Sequence, residues 1–107
     1  MDIVDSLRIN KLFDVYGGLL TSKQQIIMSA YFYDNLTLSE IGDNLSISRQ
    51  AVKDSISVCV KALENFESHL HIVADEEIIV GMLEKLKTCP RDSMEKKIDQ
   101  IINKVRR

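Results

Sequence analysis

The stretch Thr37-Leu38-Ser39-Glu40-Ile41-Gly42-Asp43-Asn44-Leu45-Ser46-Ile47-Ser48-Arg49-Gln50-Ala51-Val52 decides the fold. Thr37 with Glu40 three residues on is a capping box. It opens a short helix through about Asn44 whose apolar positions are Leu38, Ile41 and Leu45. After a tight connection, Ser48 caps a second and much longer helix. Ile41, Ile47, Val52 and Ile56 are spaced to meet in a small core between the two helices, and Gly42 permits their close approach. This is the arrangement of a helix-turn-helix, spanning about residues 37–63, in which the second helix is shaped to enter the major groove.

Such an element needs polar, exposed side chains at the start of its second helix, within reach of base edges. Here they are Ser48, Arg49, Gln50, Lys53 and Asp54. Arg49 matches guanine O6/N7 and Gln50 matches adenine N6/N7. Ser48 sits where a phosphate would lie against helix N-terminal amides, and Lys53 and Lys61 are candidates for phosphate contacts. An ordinary αα-hairpin with a solvated polar face carries the same pattern, and the shape alone does not imply sequence reading.

Working outward, Ile9, Leu12, Phe13 and Tyr16 form one helical stripe, on a helix from about Asp2 to Gly17-Gly18. Thr21 with Gln24 is another capping box, and Ile26, Ile27, Ala30 and Tyr31 give the apolar face of a second helix ending at Asp34-Asn35. In the long helix the apolar stripe is Val52, Ile56, Val60, Leu63, Phe66 and Leu70. That is longer than a small helix-turn-helix core needs, so the part from Phe66 on must pack on something else. Asp75 caps a fifth helix with Ile79, Met82, Leu83 and Leu86, stopped by Cys89-Pro90. Asp92 with Glu95 opens a sixth, with stripe Met94, Ile98, Ile101, Ile102 and Val105. The expectation is an all-α, winged-helix-free single domain over 1–107. It has a long fourth helix, a C-terminal helical extension over about 75–107, and its only internal boundary at His71-Ile72-Val73-Ala74.

With 107 residues, 45% hydrophobic and 28% charged, the chain has a globular composition. No apolar run approaches the roughly 18 residues needed to cross a bilayer, and the first residues lack signal-peptide features, which points to the cytoplasm and to no membrane partner. The net charge is −2, so nucleic-acid binding would need a local patch. Residues 1–47 carry three basic and six acidic side chains, and residues 91–107 carry six basic and three acidic. The basic tail, with Lys96, Lys97, Arg106 and Arg107, suits either phosphates or its own helix dipole.

Few features suggest chemistry. His69 and His71 are two apart and diverge on a helix, so no metal is expected. Cys59 and Cys89 have no CxxC partner and read as reduced, inert thiols. Asp75-Glu76-Glu77 compensates a helix dipole. Tyr31-Phe32-Tyr33 could stack on bases, but that spacing usually serves a core. No phosphate-binding or nucleophile motif occurs, so neither a cofactor nor a catalytic residue is expected.

The runs Leu20–Gln25, Tyr31–Gly42 and Ile47–Asp54, with the Leu63-Glu64-Asn65-Phe66-Glu67 exit of the long helix, resemble region 4 of sigma factors. More closely, they are similar to the YlxM family of small bacterial proteins. That resemblance covers most of the chain and implies a DNA-binding or regulatory protein with a part in the signal recognition particle pathway. It implies no catalytic residues. One departure is Ser46, at a turn position the family often fills with glycine; a left-handed Ser46 costs on the order of 1 kcal/mol.

Two functions follow as expectations. One is a DNA-binding regulator reading duplex DNA through the helix that begins at Ser48. The other is a module of the signal recognition particle system, docking on the particle's protein or its RNA, which the acidic overall balance favours. A homodimer built largely by the segment after Phe66 is expected, the alternative being a monomer in which those later faces fold back on the first two helices as a six-helix core. One helix-turn-helix reads few base pairs, and the later apolar stripes exceed what a small domain hides.

Overall fold

The computed structural model describes residues 3–106. Six α-helices follow in order: α1 Ile3–Tyr16, α2 Ser22–Phe32, α3 Leu38–Leu45, α4 Arg49–Leu70, α5 Ile72–Leu86 and α6 Arg91–Arg106. A single turn of 3-10 helix, Gly17–Leu19, continues α1, and no strand occurs among the described residues. The all-α reading therefore holds. The expected start at Asp2 and the tail residue Arg107 lie outside the described residues. The chain divides after Leu70 into two compact units.

In the first unit, α4 packs against α1, α2 and α3. The α1 stripe is buried throughout: Ile9, Leu12, Phe13 and Tyr16 meet Ile27, Met28, Ile41, Val52, Ile56, Cys59 and Leu63 in one core. Both capping boxes form. The Thr21 hydroxyl accepts from the Gln24 amide, and the Gln24 side chain accepts from the Thr21 amide. Thr37 and Glu40 repeat the exchange at 3.0 and 3.1 Å. These reciprocal bonds hold the Glu40 carboxyl below the usual carboxylate range, the Thr37 backbone N–H contributing most.

The sign of that shift makes a prediction. A carboxyl held low by the fold stabilises it above the unfolded-state value, and the gain is lost as acid titrates it. Glu40→Gln keeps an acceptor oxygen in the cap but removes the titration. Its urea midpoint should therefore fall less than the parent's as pH drops below about 4.5.

Two helical faces are rotated from the expected ones. On α2 the buried pair is Ile27 and Met28, while Ile26 is 56% exposed. The core lies on the Gln24-Ile27-Met28-Tyr31 side, which the apolar Ile26 obscures. On α4 the buried row is Val52, Ile56, Cys59, Leu63 and Glu67. Val60 and Phe66 lie at its half-buried edges, and Leu70 is exposed. At 100° per residue the buried row keeps to an arc of about 80°, whereas the hydrophobic row spreads over about 120° and so runs to the edges of the contact. Burial pushes the Cys59 thiol up, against an opposing bond with Ser55, which suits an unreactive core sulfur.

The second half of α4 packs on α1. The Phe66 ring lies 6.0 Å from that of Tyr16, whose hydroxyl donates to Glu67 Oε1 at 2.5 Å in a buried setting. Arg8 adds a two-pronged contact to Glu64 at 2.9 and 2.8 Å. That pair is exposed, so screening keeps its contribution small.

In the second unit α5 and α6 pack as an antiparallel hairpin, with Lys104 Nζ 3.2 Å from Asp75 Oδ1. Asp75 is not the cap expected of it. The helix begins a turn earlier, because His71 adopts a left-handed conformation (φ 56°) that breaks α4 from α5 within one residue. Asp75 instead lies in the first turn, with its N–H on the His71 carbonyl at 2.9 Å. Asp92 likewise lies inside the first turn of α6, which starts at Arg91 directly after Pro90.

Candidate nucleic-acid interface

The connection between α3 and α4 is only Ser46-Ile47-Ser48, and its geometry follows from two residues. Ser46 takes the left-handed conformation (φ 58°, ψ 41°), as the C-cap of α3. Ile47 then returns its amide to the Gly42 carbonyl at 2.9 Å, folding the chain back over α3. A Cβ on Gly42 would stand 2.7 Å from the Ile47 carbonyl oxygen and 3.4 Å from the Arg49 nitrogen. Glycine here lets the turn lie directly against α3.

Ser48 completes the turn as the cap of α4. Its hydroxyl accepts from the Ala51 amide at 3.0 Å and its carbonyl from the Val52 amide at 3.1 Å. Of the first-turn amides, those of Arg49 and Gln50 precede the helical ladder and point out of the helix end. That end carries the positive pole of the dipole, where an anion is stabilised.

Ser48, Arg49, Gln50, Lys53 and Asp54 are all exposed and lie together in the first two turns of α4. Arg49 and Lys53, four apart, share a row, as do Gln50 and Asp54. The second row is already coupled: Gln50 Nε2 donates to Asp54 Oδ1 at 2.9 Å. The bond leaves Gln50 its carbonyl oxygen and a second N–H, the donor–acceptor pair that an adenine edge requires. The signal of this coupling in the sequence is the spacing of four between Gln50 and Asp54. Lys61 is exposed but stands apart, on the Gln50 row about 16 Å further along the axis.

Among the described residues no three His, Cys, Asp or Glu side chains come together as a metal site, and no helix is long and apolar enough to cross a membrane.

The bracing helix, the tight left-handed turn and the polar start of α4 define a helix-turn-helix protein. Over residues 3–105 the chain matches the model of the UPF0122 family, described as "Putative helix-turn-helix protein, YlxM / p13 like", and it belongs to that family. Similar proteins include the UPF0122 protein of Oceanobacillus iheyensis, 44% identical over 79% of this chain and 81% of that protein. Another, from Streptococcus gordonii, is 38% identical over 87% and 86% respectively. A third, from Latilactobacillus sakei, is 42% identical over 72% and 68%.

Proposed function

We propose that this protein binds duplex DNA by placing the N-terminal turns of α4 in the major groove, and acts through that binding as a cytoplasmic regulator. The observation that supports it is the exposed polar cluster at a free helix N-terminus, presented by a turn that Gly42 and Ser46 hold tight. In this reading the Arg49 guanidinium pairs with guanine, and Gln50, oriented by Asp54, reads adenine. Ser48 and the neighbouring amides take a phosphate. Lys53 flanks the cluster as a phosphate contact, and Lys61 reaches backbone further out.

Anisotropy titration of labelled duplex DNA at two salt concentrations tests it. Binding should weaken steeply with salt, and a selected sequence should be preferred over random duplex. Arg49→Ala should weaken the specific complex by about 1–3 kcal/mol. The helical circular dichroism should not change, because Arg49 is exposed. A variant that binds every sequence as well as the parent does would remove Arg49 from the reading surface.

The net charge of −2 favours a second reading, in which the same α4 face docks on the protein or RNA of the signal recognition particle. Absence of any DNA complex at micromolar protein, with co-purification of the particle, would select it.

A further inference from the structure

We propose that α6 pairs with α6 of a second copy of this chain, antiparallel about a two-fold axis passing close to residue 100. The starting point is a mismatch between where α6 is apolar and where it is covered. Its half-buried positions are Ser93, Lys97, Ile101 and Lys104, so the edge turned to α5 is largely polar. The stripe beside it, Met94, Ile98, Ile102 and Val105, is 37 to 61% exposed. Leu83 of α5 is also open, at 47%. In an antiparallel hairpin the positions rotated the same way from the seam share one face, so Leu83 extends the stripe. A hairpin of fewer than 40 residues with its apolar face in water lacks most of the burial that stable folding needs.

The pattern along α6 identifies the occupant. Reversed about residue 100, the stripe lies on itself to within one residue: Ile98 falls opposite Ile102 of the second copy, and Met94 one residue from the position opposite Val105. Glu95 and Arg106 are eleven residues apart, close to three whole turns, so both border the stripe on the same side. The same reversal brings Glu95 of each copy to within one residue of the position opposite Arg106 of the other, in reach of two ion pairs. On the other border Lys104 is held by Asp75 within its own hairpin. Self-complementarity of apolar and charged positions under one two-fold operation is the requirement of an isologous interface, and two hairpins joined in this way form a four-helix arrangement.

Sedimentation equilibrium of the full chain, from micromolar to hundreds of micromolar, tests the pairing. The parent should approach twice its 12.2 kDa mass within that range. Ile102→Asp places a carboxylate opposite Ile98 twice per dimer and should raise the dissociation constant by roughly 100-fold or more. Its helical circular dichroism reports the protomer fold. Glu95→Arg should weaken pairing by about tenfold through two like-charge contacts, and Glu95→Arg/Arg106→Glu should restore it to within about threefold of the parent. A parent that stays at 12.2 kDa throughout overturns the proposal. So does a dimer indifferent to Ile102→Asp, or a double charge swap that fails to rescue.

Discussion

Gly42→Ala is expected to destabilise the protein by about 2–3 kcal/mol, against the usual direction of such a change. In an open helix interior, alanine for glycine gains roughly 0.5–1 kcal/mol, because glycine gives up more backbone freedom on folding. Gly81, in the middle of α5, is such a site: an added Cβ meets nothing within 4 Å. At Gly42 the same Cβ stands 2.7 Å from the Ile47 carbonyl oxygen, a backbone atom that cannot swing aside as a side chain would. Relief requires the turn to lift off α3, and the turn is what aims the start of α4. Gly42→Ala and Gly81→Ala should therefore shift the urea midpoint in opposite directions. The first should also weaken DNA binding in conditions where it remains folded. Two shifts of the same sign would mean that the turn is not packed as described.

The helix-turn-helix was legible because its determinants are local. A capping box at Thr37, a glycine one turn later and a second cap at Ser48 set the phase of both helices within twelve residues. Since Ser48 fixes where α4 begins, it also fixes which side chains occupy the first two exposed turns, the cluster from Ser48 to Asp54. Lys61 did not join it, because placement along a helix is a matter of rise as well as rotation. The break between α4 and α5 was harder to read. A left-handed histidine separates them, with no glycine or proline to mark the stop, so the acidic Asp75 attracted the assignment of a cap. On α4 the missed core position was a charged one. Glutamate is almost never buried without a partner, and one partner of Glu67, Tyr16, lies 51 residues away on α1, where no local pattern reveals it.

That pair gives the second large effect. Glu67→Ala is expected to cost about 2–4 kcal/mol, combining a lost bond to a charged acceptor with the space left behind. The Tyr16 hydroxyl donates to Glu67 at 2.5 Å, Tyr16 is 1% exposed and Glu67 7%. Water therefore cannot readily replace either partner. The cost should depend on which partner is changed, because a buried polar group deprived of its counterpart is penalised more than a pair removed together. Tyr16→Phe and Glu67→Leu should each destabilise. Their combination should recover about 1.5–3 kcal/mol relative to the sum, since the paired change leaves two apolar side chains of similar size in contact. Urea midpoints for the four proteins close the cycle. Glu67 lies more than three turns beyond Asp54, so the proposed DNA binding of the folded double variant should match the parent's. Strictly additive single changes would show that the buried bond does not hold the two helices together.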